Sequence, residues 1–287
     1  MPELPEVQTV VDTLLQEGIV GSRIAKATIR WPKTISGASP SWFRRSIQGQ
    51  TIVSIHRRGK FIVIGLDSSR SLLIHLRMTG RLVVDEATTP LSRHVHVALL
   101  LDNTSRLLFH DTRKFGRMYL TGNPDEILGK LGPEPLSPEF TARCLGQALQ
   151  SRRRIIKPVL LDQTIIAGLG NIYADEALWT SGIHPLRISS SLSETEIKAL
   201  HRSIRKVLRN GIRNNGTSLG TGKTNFVSAS QQHGRNQLRL NVFRRTGLPC
   251  PRCQTPIIRL VVGQRSTHVC EVCQQNSALP DPVDKDR

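Results

Sequence analysis

Cys250-Pro251-Arg252-Cys253 and Cys270-Glu271-Val272-Cys273 stand sixteen residues apart, a C-x2-C-x16-C-x2-C pattern near the end of the chain. Each C-x2-C folds two thiolates onto one tight knuckle. Two knuckles close a tetrahedral four-sulfur shell, so the spacing predicts one structural Zn2+ held by Cys250, Cys253, Cys270 and Cys273. Four cysteines saturate the metal, which leaves His268 outside the shell and gives the metal no open position for chemistry. Between the knuckles, residues 257–262 and 266–269 flank Gly263-Gln264-Arg265 and read as a β-hairpin. A segment this short cannot build its own core, and zinc replaces one, contributing on the order of 10 kcal/mol to folding. A redox pair is the rival reading of a lone C-x2-C, and the paired ribbon spacing disfavours it. Cys144, the fifth cysteine, reads as a buried helix residue.

Outward from this finger, charge is the next signal. The 287 residues carry 40 Lys and Arg against 22 Asp and Glu, a formal net charge of +18, which calls for a polyanionic partner, either nucleic acid or an anionic membrane surface. No stretch approaches the roughly 18 consecutive apolar residues of a membrane span. The first residues lack a basic start, an apolar core and a small-residue cleavage site. The expectation is a soluble, cytoplasmic protein with no membrane partner. From Ile197 through Cys270 there is no acidic residue, while fourteen Lys and Arg fall between Lys198 and Arg265. This is a candidate phosphate-facing surface, with a basic face kept only for solubility as the alternative.

Periodicity divides the chain. Leu4, Val7, Val10, Val11, Leu14 and Leu15 recur at helical spacing, with Pro5 inside the start and Gly18 past the end. Short β-type runs follow at residues 51–55, 61–66, 72–76, 82–84, 96–101 and 107–110, which suggests a β-sandwich or barrel with the opening helix against it. Pro133, Pro135 and Pro138 mark a hinge, after which the period turns helical, with Ser137 as cap and Pro138 at the first position. Ser193 and Glu196 form a capping box ahead of an apolar stripe through Ile197, Leu200, Ile204, Val207 and Leu208, with Arg202, Arg205, Lys206 and Arg209 opposite. Residues 214–237 read as a long polar loop.

The chemistry-bearing candidates each have a plainer reading beside them. The chain opens Met1-Pro2-Glu3-Leu4-Pro5-Glu6-Val7. Trimming of Met1 would expose the Pro2 secondary amine. An α-amino group titrates near roughly 8 against about 10.4 for lysine, so it is a candidate nucleophile. Its adduct with an aldehyde-level carbon is an iminium that has no N–H proton to lose. Glu3 could then move protons. On the plain reading Pro2 and Pro5 only open a helix. Lys60, at the start of an apolar strand, is either a functional amine or an edge charge that discourages aggregation. Met78 and Phe115 lie at glycine-ended strand exits, where core packing is the default and insertion into a duplex is the sharper alternative. Gly168-Leu169-Gly170-Asn171 is a phosphate cradle capped by Asn171, or a structural turn. Gly220-Thr221-Gly222-Lys223-Thr224 fails as a nucleotide P-loop because the earlier glycine is Gly216 and no buried strand precedes it, so no nucleotide cofactor is expected.

Taken in order, MPELPEV, RRGKF (57–61), HLRMTG (75–80), DTRKFG (111–116), LGPEPL (131–136), AGLGNIYADE (167–176), GIHP (182–185) and the finger resemble the bacterial formamidopyrimidine-DNA glycosylases, from the first residue to about residue 276. The MPEL opening looks like that branch rather than the endonuclease VIII branch. The resemblance implies an α+β fold, with an N-terminal β-sandwich and flanking helices, a helical helix-two-turn-helix domain, and a four-cysteine zinc-finger hairpin. The expected boundaries are 1–132 for the catalytic domain, 133–240 for the helical DNA-binding domain with its lesion-capping loop, 241–276 for the finger and 277–287 for a tail.

The implied activity is base-excision repair of double-stranded damaged DNA by a monomeric, nucleoid-associated glycosylase and lyase that excises oxidised purines through a Schiff base. Pro2 matches the nucleophile, Glu3 the acid and base, Lys60 the lysine assigned acid work, and Arg265 the arginine of the second elimination. Met78, Arg113 and Phe115 match the void-filling trio, and His94, Arg152 and Asn171 match DNA-contacting positions. An endonuclease VIII-like activity on oxidised pyrimidines and a non-catalytic zinc-ribbon protein binding damaged DNA are the alternatives. Two departures stand out. Residues 219–238, where the family has its lesion-capping loop, contain no acid, and Val242-Phe243-Arg244-Arg245 replaces a more usual Val-Tyr-Gly-Arg.

Overall fold

The computed structural model describes residues 1–219 and 226–276. The P-loop-like stretch at 220–224, part of the expected lesion-capping loop, and the 277–287 tail lie outside the described residues. The chain divides into two compact units, Met1–Lys130 with Asn210–Leu238, and Leu131–Arg209 with Arg239–Arg287, of which residues up to 276 are described. The described residues of 210–219 and 226–238, read from sequence as part of the helical domain, therefore pack with the first unit.

The first unit is a sandwich of two four-stranded sheets. One has the order β1-β6-β7-β5, from Ile24–Ile29, Val95–Leu101, Ser105–Asp111 and Gly80–Glu86; the other has β2-β3-β4-β8, from Ile52–Arg58, Phe61–Leu66, Ser71–His75 and Arg117–Thr121. Every pairing between these eight strands is antiparallel. Alternation builds the core: Ile62, Ile64 and Leu66 from β3 and Leu72 and Ile74 from β4 meet Val97, Leu99 and Leu101 from β6 and Leu107 and Phe109 from β7. Helix α1 (Leu4–Gln16) adds Val7, Val10, Val11 and Leu14, and α2 (Pro40–Ile47), capped by the Ser39 hydroxyl, adds Phe43 and Ile47. Leu15 falls about 100° past Leu14 on the helical wheel and is exposed, so the apolar stripe ends one residue sooner than its spacing suggests.

After the short α3 (Asp125–Leu128), the second unit holds α4 (Ala142–Gln150), α5 (Ile156–Leu161), α6 (Asn171–Ser181) and most of α7 (Glu194–Arg213), followed by the hairpin β9 (Ile258–Val262) and β10 (Arg265–Val269). No helix starts at Pro138. Thr141 caps α4 instead, its hydroxyl accepting the Cys144 N–H at 3.1 Å, and Cys144 itself is half-buried rather than buried. The Ser193–Glu196 box forms as read, with Ser193 N–H on Glu196 Oε2 at 2.8 Å and Glu196 N–H on Ser193 Oγ at 3.2 Å. Arg205, one of the cations opposite the apolar stripe, is engaged within its own unit: its guanidinium donates to the carbonyls of Pro135, Leu136 and Ser137 at 3.1, 3.2 and 2.7 Å and so clamps the linker. Among the described residues, no helix is long and apolar enough to cross a membrane.

Candidate active site and nucleic-acid interface

In the first unit, Pro2 is buried directly ahead of α1, and Glu3 is the N-cap residue, 2% exposed. The N-cap position places this buried carboxyl at the positive end of the helix dipole. Glu6, 1% exposed, closes the start of the helix by accepting the Glu3 N–H on Oε2 at 2.8 Å. Its other oxygen accepts the Thr217 N–H at 2.7 Å, so one buried carboxylate joins the opening segment to residue 217. The sequence reading missed Glu6, although it lies inside MPELPEV, because its second partner is 211 residues away.

Lys60 occupies the two-residue turn between β2 and β3, whose closing pair is Arg58 with Phe61. It is 6% exposed, so it is not a solvated edge charge. A lysine is rarely enclosed without a specific partner or task. Packing of α1 on β2 is reinforced by Arg57, whose Nε donates to Gln8 Oε1 at 3.0 Å. Near Lys60, burial with the Arg77 and Lys60 charges pushes the His75 imidazole down to about 3. Neutral His75 accepts the Arg77 N–H on Nδ1 at 3.0 Å and meets the Phe61 ring edge-on at 4.7 Å.

Met78, Arg113 and Phe115 are all exposed on two turns of this unit, 76–79 and 112–116. The Arg113 guanidinium lies 5.0 Å from the Phe115 ring centroid. His94 is half-buried; its carbonyl accepts the Asp111 N–H at 3.0 Å and its ring lies 5.5 Å from that of His110. Exposed apolar tips are costly in water, and with a cation beside them they suit insertion between bases.

In the second unit, Arg265 opens β10, exposed, opposite Val262. Gly263 and Gln264 form a two-residue turn with φ of 55° and 60°, the backbone that a tight hairpin of this hand requires. A buried set of charges fixes this hairpin. Lys157 Nζ contacts Asp175 Oδ1 at 2.5 Å and donates to Thr267 Oγ1 at 2.7 Å and to Ser266 O at 3.0 Å, with both charged side chains fully buried. The other Asp175 oxygen accepts the His268 N–H at 2.9 Å and lies 3.1 Å from His268 Nδ1. Asn171 does not cap its helix: Gly170 holds the cap position, while Asn171 Nδ2 donates to Ser266 O at 2.9 Å. Arg152 is half-buried, its guanidinium donating to Ala148 O at 2.7 Å.

The four cysteines converge, with ligand atoms all within 4.8 Å of one another. Cys250–Cys273 and Cys253–Cys270 sulfur separations are 3.8 and 3.4 Å, close to the tetrahedron edge of about 3.8 Å implied by Zn–S bonds of about 2.3 Å. The donor set fits one structural zinc. Burial and the neighbouring sulfurs raise the Cys273 thiol, a crowding that a divalent cation relieves. Hydrogen bonds from Thr255 draw the Cys253 thiol down to about 6. The Trp179 indole donates to Cys250 Sγ at 3.4 Å, and the Glu176 carboxylate accepts the N–H groups of Asn241, Val242 and Phe243 at 2.9 to 3.0 Å, which seats the finger on α6. Arg244, at the position where glycine is the more usual residue, has a φ of 58°.

Comparison with known proteins agrees with this architecture. Residues 1–118 match the formamidopyrimidine-DNA glycosylase N-terminal domain, 131–223 the formamidopyrimidine-DNA glycosylase H2TH domain, and 247–276 the zinc finger found in FPG and IleRS. A formamidopyrimidine-DNA glycosylase of Protochlamydia amoebophila is 46% identical over 275 residues, covering 96% of this chain and 100% of that protein. Two Lactococcus lactis Fpg structures cover 96% of this chain and 100% of theirs. One, a point mutant in complex with Fapy-dG-containing DNA, has a TM-score of 0.88 and 36% identity. The other, the wild-type protein with oxidised-pyrimidine-containing DNA, has a TM-score of 0.87 and 35% identity. By sequence along 96% of its length, by fold and by its four-cysteine finger, the chain belongs to the formamidopyrimidine-DNA glycosylase family.

Proposed function

We propose that this protein is a base-excision repair enzyme, a bifunctional glycosylase and lyase that removes oxidised purines such as 8-oxoguanine and formamidopyrimidines from double-stranded DNA. It acts as a monomer, without a nucleotide cofactor, in the bacterial cytoplasm at the nucleoid. The observation that carries the catalytic assignment is the enclosure of Glu3 and Lys60, 2% and 6% exposed, in the unit that opens with Pro2. Ionisable side chains are seldom withdrawn from water unless they are paired or their protonation state is put to use, and the family resemblance assigns these two to the chemistry.

With Met1 removed, the Pro2 nitrogen attacks C1′ of the damaged nucleotide. The C1′–N bond to the base breaks, the base leaves with a proton, and Glu3 protonates the opening sugar oxygen. The product is an iminium between Pro2 and C1′. It acidifies the C2′ proton, whose removal expels the 3′ phosphate, and a second elimination, assigned to Arg265, expels the 5′ phosphate. Lys60 supplies acid at the lesion. Arg152, Asn171 and His94 hold the backbone while Met78, Arg113 and Phe115 occupy the vacated stack. The zinc keeps the finger folded and takes no part in these steps. Lys and Arg contacts to phosphate make binding weaken steeply with salt.

Borohydride trapping tests the reading. Met1-free protein incubated with abasic-site duplex and borohydride should give a covalent adduct, and an N-terminally extended protein should give none. An adduct that survives the extension would overturn Pro2 as nucleophile. Excision of 8-oxoguanine well above that of thymine glycol is the expected lesion order, and the reverse order would assign the chain the endonuclease VIII-like activity.

A further inference from the structure

Asp111 is fully buried, ends β7 and touches both of the turns that carry the exposed tips. Its Oδ1 accepts the Thr79 hydroxyl at 2.5 Å and the Arg113 N–H at 3.1 Å, and its Oδ2 accepts the Gly116 N–H at 2.7 Å. The Arg113 N–H is shared with Thr79 Oγ1 at 3.2 Å. One carboxylate thus ties the residue after Met78 to both ends of the segment bearing Arg113 and Phe115. The topology makes this possible. Both turns cross from one sheet to the other at the same end of the sandwich, because Gly80 pairs with Asp111 in one sheet and His75 pairs with Arg117 in the other.

The turns need such a latch. Arg77 and Lys114 adopt φ of 53° and 63°, left-handed backbone that non-glycine residues hold only when their surroundings impose it. Gly116 is packed so closely that a Cβ there would lie 2.3 Å from Phe109 Cζ and 3.2 Å from Asp111 Oδ2. Lys114 Nζ sits 3.9 Å from the Trp31 ring centroid, which braces the second turn from outside.

From this geometry we infer that Thr79 and Asp111 are positioning residues that hold the Met78 tip and the Arg113–Phe115 tip as one preassembled wedge. Lesion extrusion then depends on a hydroxyl–carboxylate bond that never touches DNA. Tips fixed before binding lose less conformational freedom on insertion, which favours the extruded state. The inference rests on the assignment of Met78, Arg113 and Phe115 as void-filling residues.

Thr79→Val is the clean test, because it keeps shape and leaves Asp111 bonded to Arg113 and Gly116. The probe is a duplex carrying 8-oxoguanine beside 2-aminopurine, whose fluorescence rises on unstacking, read by stopped flow alongside single-turnover base excision. Thr79→Val should slow unstacking and excision about tenfold, the scale expected of a small misplacement remote from the chemistry. Melting temperature should fall by a few degrees, the loss of one buried hydrogen bond, and Thr79→Ser should behave as wild type in both rate and stability. In a Met78→Ala/Phe115→Ala background the same substitution should add nothing. Undiminished unstacking in Thr79→Val, or an equal loss in both backgrounds, overturns the latch. If Thr79→Val is silent while Met78→Ala/Phe115→Ala is slow, the latch fails and the void-filling assignment stands. If Met78→Ala/Phe115→Ala extrudes normally, both fail.

Discussion

Glu6 and Thr217 are joined by a hydrogen bond of 2.7 Å from the Thr217 N–H to a carboxylate whose other oxygen holds the Glu3 N–H. The carboxylate is acceptor-only, and both of these partners are backbone donors. Glu6→Gln turns one oxygen into a donor that must face an N–H, leaving a buried donor unmatched at a cost of about 1–3 kcal/mol. Thermal unfolding should show this loss, and single-turnover cleavage of abasic DNA should slow because the segment bearing Pro2 and Glu3 is loosened. Wild-type values in both measurements would show that the carboxylate is dispensable.

Lys157→Met strands Asp175 as an uncompensated buried charge, and we expect a destabilisation of about 3–5 kcal/mol in chemical denaturation. Adding Asp175→Asn should recover part of it. Because Lys157 also holds Ser266 O and Thr267 Oγ1 beside Arg265, the yield of doubly eliminated product should fall more than base release. Gel separation of the singly and doubly eliminated strands reads that ratio.

A strong chelator should release about one zinc per chain. Circular dichroism should retain the β-sandwich signal, because the first unit contains none of the four ligands. The fluorescence of Trp179, whose indole is bonded to Cys250 Sγ, should change as the finger opens. DNA affinity should fall in step with metal loss. Full affinity in the metal-free protein would separate the finger from DNA binding.

His75 sets an acid limit on stability. Its imidazole is held at about 3 in the fold against 6.5 when free, so between those values the unfolded chain takes up a proton that the folded chain refuses. The contribution is complete above pH 6.5 and is lost progressively as pH falls toward 3, by up to about 1.4 kcal/mol per pH unit. His75→Asn keeps an acceptor for the Arg77 N–H and removes the titration. The difference in melting temperature between pH 7 and pH 5 should therefore shrink in this variant.

Arg244→Gly should stabilise the protein. At φ of 58° the arginine occupies left-handed backbone, which costs an L-residue roughly 1–2 kcal/mol, and the greater unfolded freedom of glycine takes back about half. Melting temperature should rise by a few degrees, while a reduced salt dependence of DNA binding would report the lost charge.

Much of this architecture is legible in local pattern. Short apolar runs mark β3, β6 and β7, the Ser193–Glu196 box marks the start of α7, and two knuckles mark the metal shell. Local reading fails where two signals compete. Ser137-Pro138 carries a good cap and first-turn signature, yet the carbonyls of Pro135 and Ser137 are taken by Arg205 and the helix waits for Thr141. Asn171 has a capping side chain, but a tertiary bond to Ser266 claims it. The buried acids Glu6, Asp111, Asp175 and Glu176 give no local signal beyond their place inside a motif. Their partners are set by tertiary proximity, which no periodicity encodes.

The bond between Glu6 and Thr217 spans 211 residues, and this has a consequence for the order in which the protein becomes complete during synthesis. Chains emerge from the ribosome N-terminus first and earlier segments begin to fold before later ones exist. The segment carrying Glu6 is made well before residue 217, and its carboxylate lacks its second donor until that residue has been added. A nascent chain can thus carry a formed helix start well before it carries a locked one. The opening helix is finished as a late step of translation rather than at its own emergence.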